Sequence, residues 1–227
     1  NETNNPIEES TITNVDLTSN SITGNIYTIA SGDTAYRFTG NGTETSNRIT
    51  ISDTITAAKP ICIYLNDVNI KTSEGPALLI PENLNADVHI YLEGENVLKT
   101  SNHDSAALQK ENTSKLIIDN VPNSAGSLAA TAIDANYAKG AGIGGGASGI
   151  GKNITIKGGT ITVKSTYGAG IGGGSNGNGG YPSQGVCYAS NINISDGLIT
   201  AASDFGAGIG NGGASKNGSN INIFGGL

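Results

Sequence analysis

The sequence predicts an all-β protein that folds as a single-stranded, right-handed parallel β-helix of about six coils. The first observation is a repeat. The string AGIGG occupies 141–145 and 169–173, and a close copy, AGIGN, occupies 207–211. The copies start 28 and then 38 residues apart, and units that recur every ~20 to 50 residues are typical of solenoids. The right hand is expected because parallel crossovers are right-handed.

The second observation is composition. Glycine accounts for 34 of the 227 residues, and Asn, Ser, Thr and Ile are abundant. β-Branched residues favour strands, whereas Gly and Asn favour tight turns, so the mixture suits short strands separated by bends. The formal net charge is −7, which does not favour nucleic acid or anionic membranes. We therefore expect no nucleic-acid partner. We also expect no membrane insertion, because no apolar run reaches the length of a bilayer span.

In chain order, residues 1–20 are polar and predict a leader or linker, whereas residues 21–227 predict the solenoid. Residues 22–38 predict two short strands that cap the first coil. The closing letters FGGL match the start of a new strand, and residue 1 is not Met. We therefore expect a segment of a longer protein whose solenoid is truncated at its C-terminal end.

The third observation is the alternation of apolar and polar residues at the start of each coil. Alternation places successive side chains on opposite faces, and parallel pairing aligns equivalent positions of every coil. The predicted inward column is Ile63, Ile90, Ile117, Ile156, Ile194 and Ile223. The predicted outward column is Tyr64, Tyr91, Ile118, Lys157, Ser195 and Phe224.

The glycine strings predict narrow bends with Ile143, Ile171 and Ile209 filling the interior. Glycine allows a sharp turn and lets neighbouring coils stack without Cβ clashes. The letters GASGIGKN at 146–153 also match a phosphate-binding loop. Strands rather than a helix follow them, and Asn153 replaces the required Ser or Thr, so we reject a nucleotide site.

Cys62 and Cys187 lie several coils apart. Neighbouring strands are about 4.8 Å apart, whereas a disulfide needs Cα atoms within about 7 Å. Both cysteines are therefore predicted to be free thiols unless the loop that carries Cys187 folds back.

No catalytic residue is predicted. Glycoside hydrolysis requires two carboxylates at a fixed separation across a cleft, and no paired set of acidic residues is evident on one face among the 19 in the chain. The two histidines, His89 and His103, are not at ligand spacing, which argues against a transition metal. Turns rich in Asp, Asn and Gly can supply oxygen ligands, so Ca²⁺ stays open as a cofactor without assigned residues.

The segment Ile61–Leu98, ICIYLNDVNIKTSEGPALLIPENLNADVHIYLEGENVL, resembles the bacterial carbohydrate-binding-domain family of parallel β-helices, which are similar in shape to pectate lyases. The glycine-rich half resembles repeats of large clostridial-type cell-surface proteins, through YGAGIGGG and NINISDGLITA. The resemblance implies an extracellular protein, secreted or attached to a cell wall. It further implies a plant or host polysaccharide as the partner, and it allows for Ca²⁺.

Lyases of that shape use a basic residue, usually Arg, beside Ca²⁺. Here Arg37 and Arg48 both lie near the N-terminal end, and Lys157 and Lys164 have no acidic cluster beside them in sequence. These departures predict a non-catalytic protein.

We therefore expect a monomeric cell-surface adhesion or carbohydrate-binding module whose partner is a polysaccharide or host glycan. Four tyrosines are candidates for ligand binding. Tyr64 and Tyr91 align outward, where rings can stack on sugars or simply on each other. Tyr181 and Tyr188 lie in the longest loop, 175–190. Long loops on a rigid scaffold commonly carry function, and the alternative is an insertion tolerated at low entropic cost.

Three other functions stay open: a structural stalk of a large surface protein, a Ca²⁺-dependent polysaccharide lyase, and ice binding. Ice binding is the least favoured, because it needs flat threonine ladders. The expected alignment gives Thr155 and Thr162 no threonine partner on the next coil.

Overall fold

The molecule is a stack of coils built almost entirely from β-strands. The computed structural model describes residues 12–134, 137–176, 187–213, 215 and 218–225. Within these ranges the one helical element is a 3-10 turn at Thr23–Asn25. No helix in them is long and apolar enough to cross a bilayer.

The strands, numbered β1 to β21 in chain order, form three sheets. The first sheet contains β1 (Ile12–Asp16), β3 (Ala35–Thr39), β6 (Ile61–Asn66), β9 (Val88–Glu93), β12 (Leu116–Asn120), β15 (Gly151–Ile156), β18 (Ala189–Ile194) and β21 (Ser219–Ile223). The second contains β4 (Glu44–Thr45), β7 (Asn69–Thr72), β10 (Glu95–Thr100), β13 (Ser127–Ala132), β16 (Thr160–Ser165) and β19 (Leu198–Ser203). The third contains β2 (Ile26–Ile29), β5 (Arg48–Ile51), β8 (Leu78–Ile80), β11 (Leu108–Lys110), β14 (Ile143–Gly144), β17 (Ile171–Gly172) and β20 (Ile209–Gly210).

Each described strand pairs in parallel with the equivalent strand of a neighbouring coil. From β3 onward the chain visits the three sheets in turn, so each coil adds one strand to each sheet, whereas β1 is followed directly by β2 of the third sheet. This arrangement confirms the predicted parallel β-helix. The right hand of the coil stays a prediction.

The solenoid starts earlier than the boundary expected after residue 20. Strand β1 pairs in register with β3, with Ile12 opposite Ala35, and Leu17 is fully buried. The strands expected to cap the first coil are ordinary members of the stack, which gives the first sheet eight levels. The sequence around β1 is polar and did not predict a strand. The strand is stabilised by its pairing with β3 rather than by the apolar pattern of its own residues.

The inward column of the first sheet is an aliphatic stack, with one correction to the predicted alignment. Ile90 lies opposite Ile118, not Ile117, and Ile118 is fully buried. Ile117 lies opposite His89 on the outward face. Because side chains alternate every residue, a coil one residue longer than expected exchanges the two faces. The remaining members of the column align as predicted: Ile63, Ile90, Ile156, Ile194 and Ile223.

The outer face of the second sheet corrects the expectation about threonines. Thr162 of β16 lies opposite Thr200 of β19, so a threonine pair does exist on successive coils. Lys164 occupies the next outward position, opposite Ala202. The expected alignment was one residue out of register here as well.

The glycine strings form the third sheet and its bend, as predicted. Gly144, Gly172 and Gly210 have φ angles of 137°, 138° and 139°, a region that favours glycine. A Cβ on Gly144 would lie 2.0 Å from the carbonyl oxygen of Gly172, and one on Gly172 would lie 2.0 Å from that of Gly210. The coils therefore approach each other too closely for any side chain at Gly144 and Gly172.

We predict that Gly172→Ala lowers the free energy of unfolding by roughly 3 kcal/mol or more, because it combines an unfavourable φ with overpacking against Gly210. Gly24→Ala is the matched control, since Gly24 has φ +64° but no neighbour within 4 Å of its Cβ position. The control should lose only about 1–2 kcal/mol. Urea unfolding of both variants measures the difference, and equal losses would contradict a steric origin.

The two cysteines are not joined by a disulfide, as predicted. Cys62 is partly buried on β6, and Cys187 is buried just before β18. Burial raises the pKa of both thiols. Both groups are therefore poorly reactive thiols in the folded protein.

One lysine lies in the interior. Lys110 of β11 is opposite the buried Ile80 and is itself 1% exposed. Its Nζ donates to the backbone carbonyl of Asn112 at 2.8 Å. Burial, reinforced by the charge of Lys152, lowers the pKa of Lys110 to about 7. The interior therefore disfavours the protonated amine.

We predict that this amine makes stability rise with pH. The unfolded chain holds the proton up to about pH 10.5, whereas the folded chain loses it above about pH 7. Between these values the unfolded state binds more protons, so raising the pH favours folding. Relative to Lys110→Met, the wild type should gain about 2 kcal/mol between pH 6 and 8.5.

Urea unfolding of both proteins at several pH values measures this gain. Lys99→Met, on the outward face of the second sheet, is the control, and its pH dependence should match the wild type. A pH-independent difference between the wild type and Lys110→Met would show that the amine is not the titrating group.

Candidate functional site

Two of the four predicted tyrosine candidates, Tyr64 and Tyr91, lie in one column on the outward face of the first sheet. Pairing places Arg37 opposite Tyr64, Tyr64 opposite Tyr91, and Tyr91 opposite Asp119. Lys157 follows, because its backbone nitrogen bonds to the carbonyl of Ile118 at 2.8 Å. We call Arg37, Tyr64, Tyr91, Asp119 and Lys157 the outward column. In-register strands bring these five side chains together from five separate coils.

Tyr64 is enclosed within the column. Its ring stacks on that of Tyr91, with centroids 5.0 Å apart and planes at 22°. The guanidinium of Arg37 lies over the same ring, 5.2 Å from its centroid. As a result Tyr64 is only 3% exposed. The alignment predicted from sequence is correct, and the two rings do pair with each other.

Arg37 is held in place by an acid two coils away. Its Nη2 donates to Oε1 of Glu93 at 3.0 Å, and both side chains are largely shielded from water. An ion pair of this kind fixes the planar guanidinium over the tyrosine ring. Arg37 is therefore committed to this contact and is poorly placed to act as a general base.

Tyr91 is the member of the tyrosine pair that stays partly open to solvent. Burial, together with the nearby Cys62 thiol, raises its pKa to about 12, so the phenol is neutral and can donate a hydrogen bond. The edge of His89 packs near it, with ring centroids 6.3 Å apart. Burial and the charge of Lys157 lower the pKa of His89, which favours a neutral imidazole. Tyr91 thus combines an amphipathic ring with polar neighbours.

The other residues considered for catalysis are engaged elsewhere. Lys164 Nζ lies 3.6 Å from Asp204 Oδ1, and the guanidinium of Arg48 lies beside Gly75. His103 Nδ1 lies 2.8 Å from Asp104 Oδ1 on an exposed loop. Arg37 and Lys157 lie at opposite ends of the outward column, and Arg48 and Lys164 lie on the other two sheets, so the four residues do not form one centre.

No group of three or more His, Cys, Asp or Glu side chains gathers in the described part of the chain. Asp67, in one of the acidic turns, accepts a bond from the backbone nitrogen of Glu95 at 2.9 Å. That carboxylate therefore serves the turn itself. The sequence-based option of Ca²⁺ receives no residue assignment from these positions.

The loop candidate that the structure describes, Tyr188, lies apart from the outward column. Tyr188 is partly buried immediately before β18, and its carbonyl accepts a bond from Gly151 at 3.1 Å. Three steps of strand pairing separate β18 from β9, which carries Tyr91. Tyr181 lies outside the described residues. The four candidate tyrosines therefore do not form one site.

A second aromatic column was missed by the sequence analysis. Tyr167 stacks on Phe205 with centroids 4.4 Å apart. The ring of Tyr137 is tilted at 39° to that of Tyr167, with centroids 5.6 Å apart. Tyr137 and Phe205 are 42% and 59% exposed, whereas Tyr167 is buried. The signal was present in the sequence, since an aromatic residue precedes each GAGIG string by a short interval.

Comparisons with known proteins identify no relative: no family model, no curated protein and no solved structure matches the chain.

We predict that Tyr64 and Tyr91 stabilise each other. A double-mutant cycle with Tyr64→Ala and Tyr91→Ala should give a coupling of about 0.5–1.5 kcal/mol, as expected for stacked rings. Tyr64 and Tyr188, on distant coils, form the control cycle and should be additive within ~0.5 kcal/mol. Additivity in the first cycle would show that the observed stacking contributes nothing to stability.

Proposed function

We propose that this protein is an extracellular, non-catalytic carbohydrate-binding module of a cell-surface protein, with a plant or host polysaccharide as its partner. The observation that carries the proposal is the outward column, in which the partly exposed Tyr91 stands beside Asp119, Glu93 and His89. Sugars combine apolar C–H faces with hydroxyl groups. A ring bordered by hydrogen-bonding side chains offers contacts to both parts of a sugar.

The shape of the surface also supports a polymeric ligand. The first sheet presents eight parallel strands, and equivalent positions recur at the strand spacing of about 4.8 Å. A surface that repeats along one axis suits a ligand that repeats along its own length. The ordered backbone of the sheet would lose little freedom on binding, which favours affinity.

A structural stalk is the second candidate, and the stacking of Tyr64 favours it. Both Tyr64 and Tyr167 use their rings in contacts with neighbouring coils rather than presenting them to solvent. Columns of this kind stiffen a solenoid without any ligand. The two candidates are separated by whether the wild-type chain binds any polysaccharide.

Retention on immobilised polymers tests the proposal. The wild-type chain should bind at least one of hydroxyethylcellulose, arabinoxylan and polygalacturonate, and Tyr91→Ala should weaken binding about tenfold, a loss of ~1.4 kcal/mol. Tyr137→Ala, which removes an exposed tyrosine at another corner, is the matched control and should bind normally. Absence of wild-type binding would leave the stalk as the function, and weaker binding by Tyr137→Ala alone would move the site to the second aromatic column.

A further inference from the structure

Four asparagine side chains form a continuous hydrogen-bonded chain on the outward face of the upper coils. Asn153 Nδ2 donates to the carbonyl of Thr113 at 2.6 Å, and Asn191 Nδ2 donates to Asn153 Oδ1 at 2.7 Å. Asn193 Nδ2 then donates to Asn191 Oδ1 at 3.2 Å, and Asn222 Nδ2 to Asn193 Oδ1 at 2.9 Å. We call Asn153, Asn191, Asn193 and Asn222 the amide ladder. All of its bonds run in one direction, so the amide dipoles are aligned and reinforce each other.

The backbone explains why asparagine occupies two of these positions. Asn153 and Asn191 both have φ of 55°, a left-handed conformation that asparagine tolerates better than most residues. In the pairing of β15 with β18, Lys152 lies opposite Ser190 and Ile154 lies opposite Ile192. Asn153 and Asn191, which lie between these pairs, interrupt the regular backbone pairing. Asn193 and Asn222 instead lie within regular pairing, opposite each other.

The ladder retains hydrogen-bonding capacity for a ligand. A side-chain amide has two N–H donors and two acceptor lone pairs. Asn153, Asn191 and Asn193 each use one donor and one acceptor within the ladder. Among the described residues no further bond to these amides is formed, and all are at least partly exposed. Each of these three amides therefore keeps one N–H donor and one acceptor lone pair that can bond to hydroxyl groups of a ligand.

The charge of this surface limits the class of ligand. Strands β18 and β21 carry no ionisable side chain. Lys152 is adjacent to Asn153 in β15, and Lys115 precedes Leu116, the residue opposite Ile154, so these cations lie at the Asn153 end of the ladder. At Asn193 and Asn222, acidic sugars would find no cation within these two strands to neutralise their carboxylates. Neutral sugars would find paired donors and acceptors that do not depend on charge.

We propose that the amide ladder is a second carbohydrate subsite, one that binds the hydroxyl groups of a neutral polysaccharide lying along the solenoid axis. The inference rests on the proposed function and specifies its ligand class. The ladder and Tyr91 share the outward face of the first sheet, where Thr155 lies opposite Asn193. One extended chain can therefore contact both places.

The test uses Asn193→Ala, because Asn193 is the third of the four amides and its φ is not positive. The variant should bind hydroxyethylcellulose and arabinoxylan about tenfold more weakly, the loss of one or two ligand hydrogen bonds. Asn222→Ala, at the end of the ladder, should show a smaller loss. Asn69→Ala is the matched control. Asn69 lies on β7 of the second sheet, away from the ladder, and its side chain donates to the carbonyl of Gly42.

Salt dependence provides an independent readout. Binding of neutral polymers should change less than twofold between 50 and 500 mM NaCl, because no ion pair is made. Thermal melting of each variant verifies that the fold is retained. If the wild type binds a neutral polymer and both ladder variants bind it equally well, the ladder proposal is wrong and the proposed function stands.

Preference of the wild type for polygalacturonate, with binding lost at high salt, would also overturn the neutral-ligand assignment. Absence of wild-type binding to every polymer would refute both proposals together. These outcomes are distinct, so the failure of the subsite can be separated from failure of the function.

Discussion

Parallel, in-register hydrogen bonding between successive coils is the constraint on which the rest of this structure depends. It sets a single spacing of about 4.8 Å between equivalent residues. Every position therefore becomes part of a column, and each side chain must be compatible with the residue above and below it. In the outward column Arg37 lies over the ring of Tyr64, which stacks on Tyr91. Asp119 and Lys157, of opposite charge, occupy the next two coils. Cation–π, aromatic and opposite-charge neighbours are all favourable at such close range.

The same spacing determines where the coil can bend and what the interior accepts. At the third sheet the backbones are so close that only glycine fits, which fixes Gly144 and Gly172. The inward columns accept mostly aliphatic residues, with a few hydroxyl and amide side chains. Among the described residues Lys110 is the one buried side chain of the Lys, Arg, Asp or Glu type, and its amine reaches the carbonyl of Asn112. Burial lowers the pKa of this amine, so the interior favours its neutral form.

Column stacking also decides which side chains stay available to a ligand. Tyr64 uses its ring in contacts with Arg37 and Tyr91, so its contribution is to position Tyr91. The amides of the ladder behave differently, because one hydrogen bond to each neighbour leaves a donor and an acceptor free. The polar upper coils thus retain more binding capacity than the aromatic lower coils. A ligand lying along the axis would use both.

The sequence alone determined the fold class and the chemistry of the columns. Repeated GAGIG strings and alternating isoleucines predicted a parallel β-helix, its glycine bends and the lack of a disulfide between Cys62 and Cys187, because these follow from local patterns and strand geometry. The register at Ile117 and Thr162 was wrong, since a coil one residue longer changes no local pattern yet exchanges the two faces. The strand Ile12–Asp16 was missed because it is stabilised by pairing with another coil.

Only the tertiary structure decided which residues are exposed and which hydrogen bonds they make. Tyr64 and Tyr91 are equivalent in sequence, but Arg37 and Glu93, from different coils, enclose the first and leave the second partly open. The amide ladder likewise joins asparagines that are up to 38 residues apart. Contacts of this kind depend on the length of every intervening loop. The combined effect of these loop lengths on the contacts cannot be read from local composition. It is visible only in the complete stack of coils.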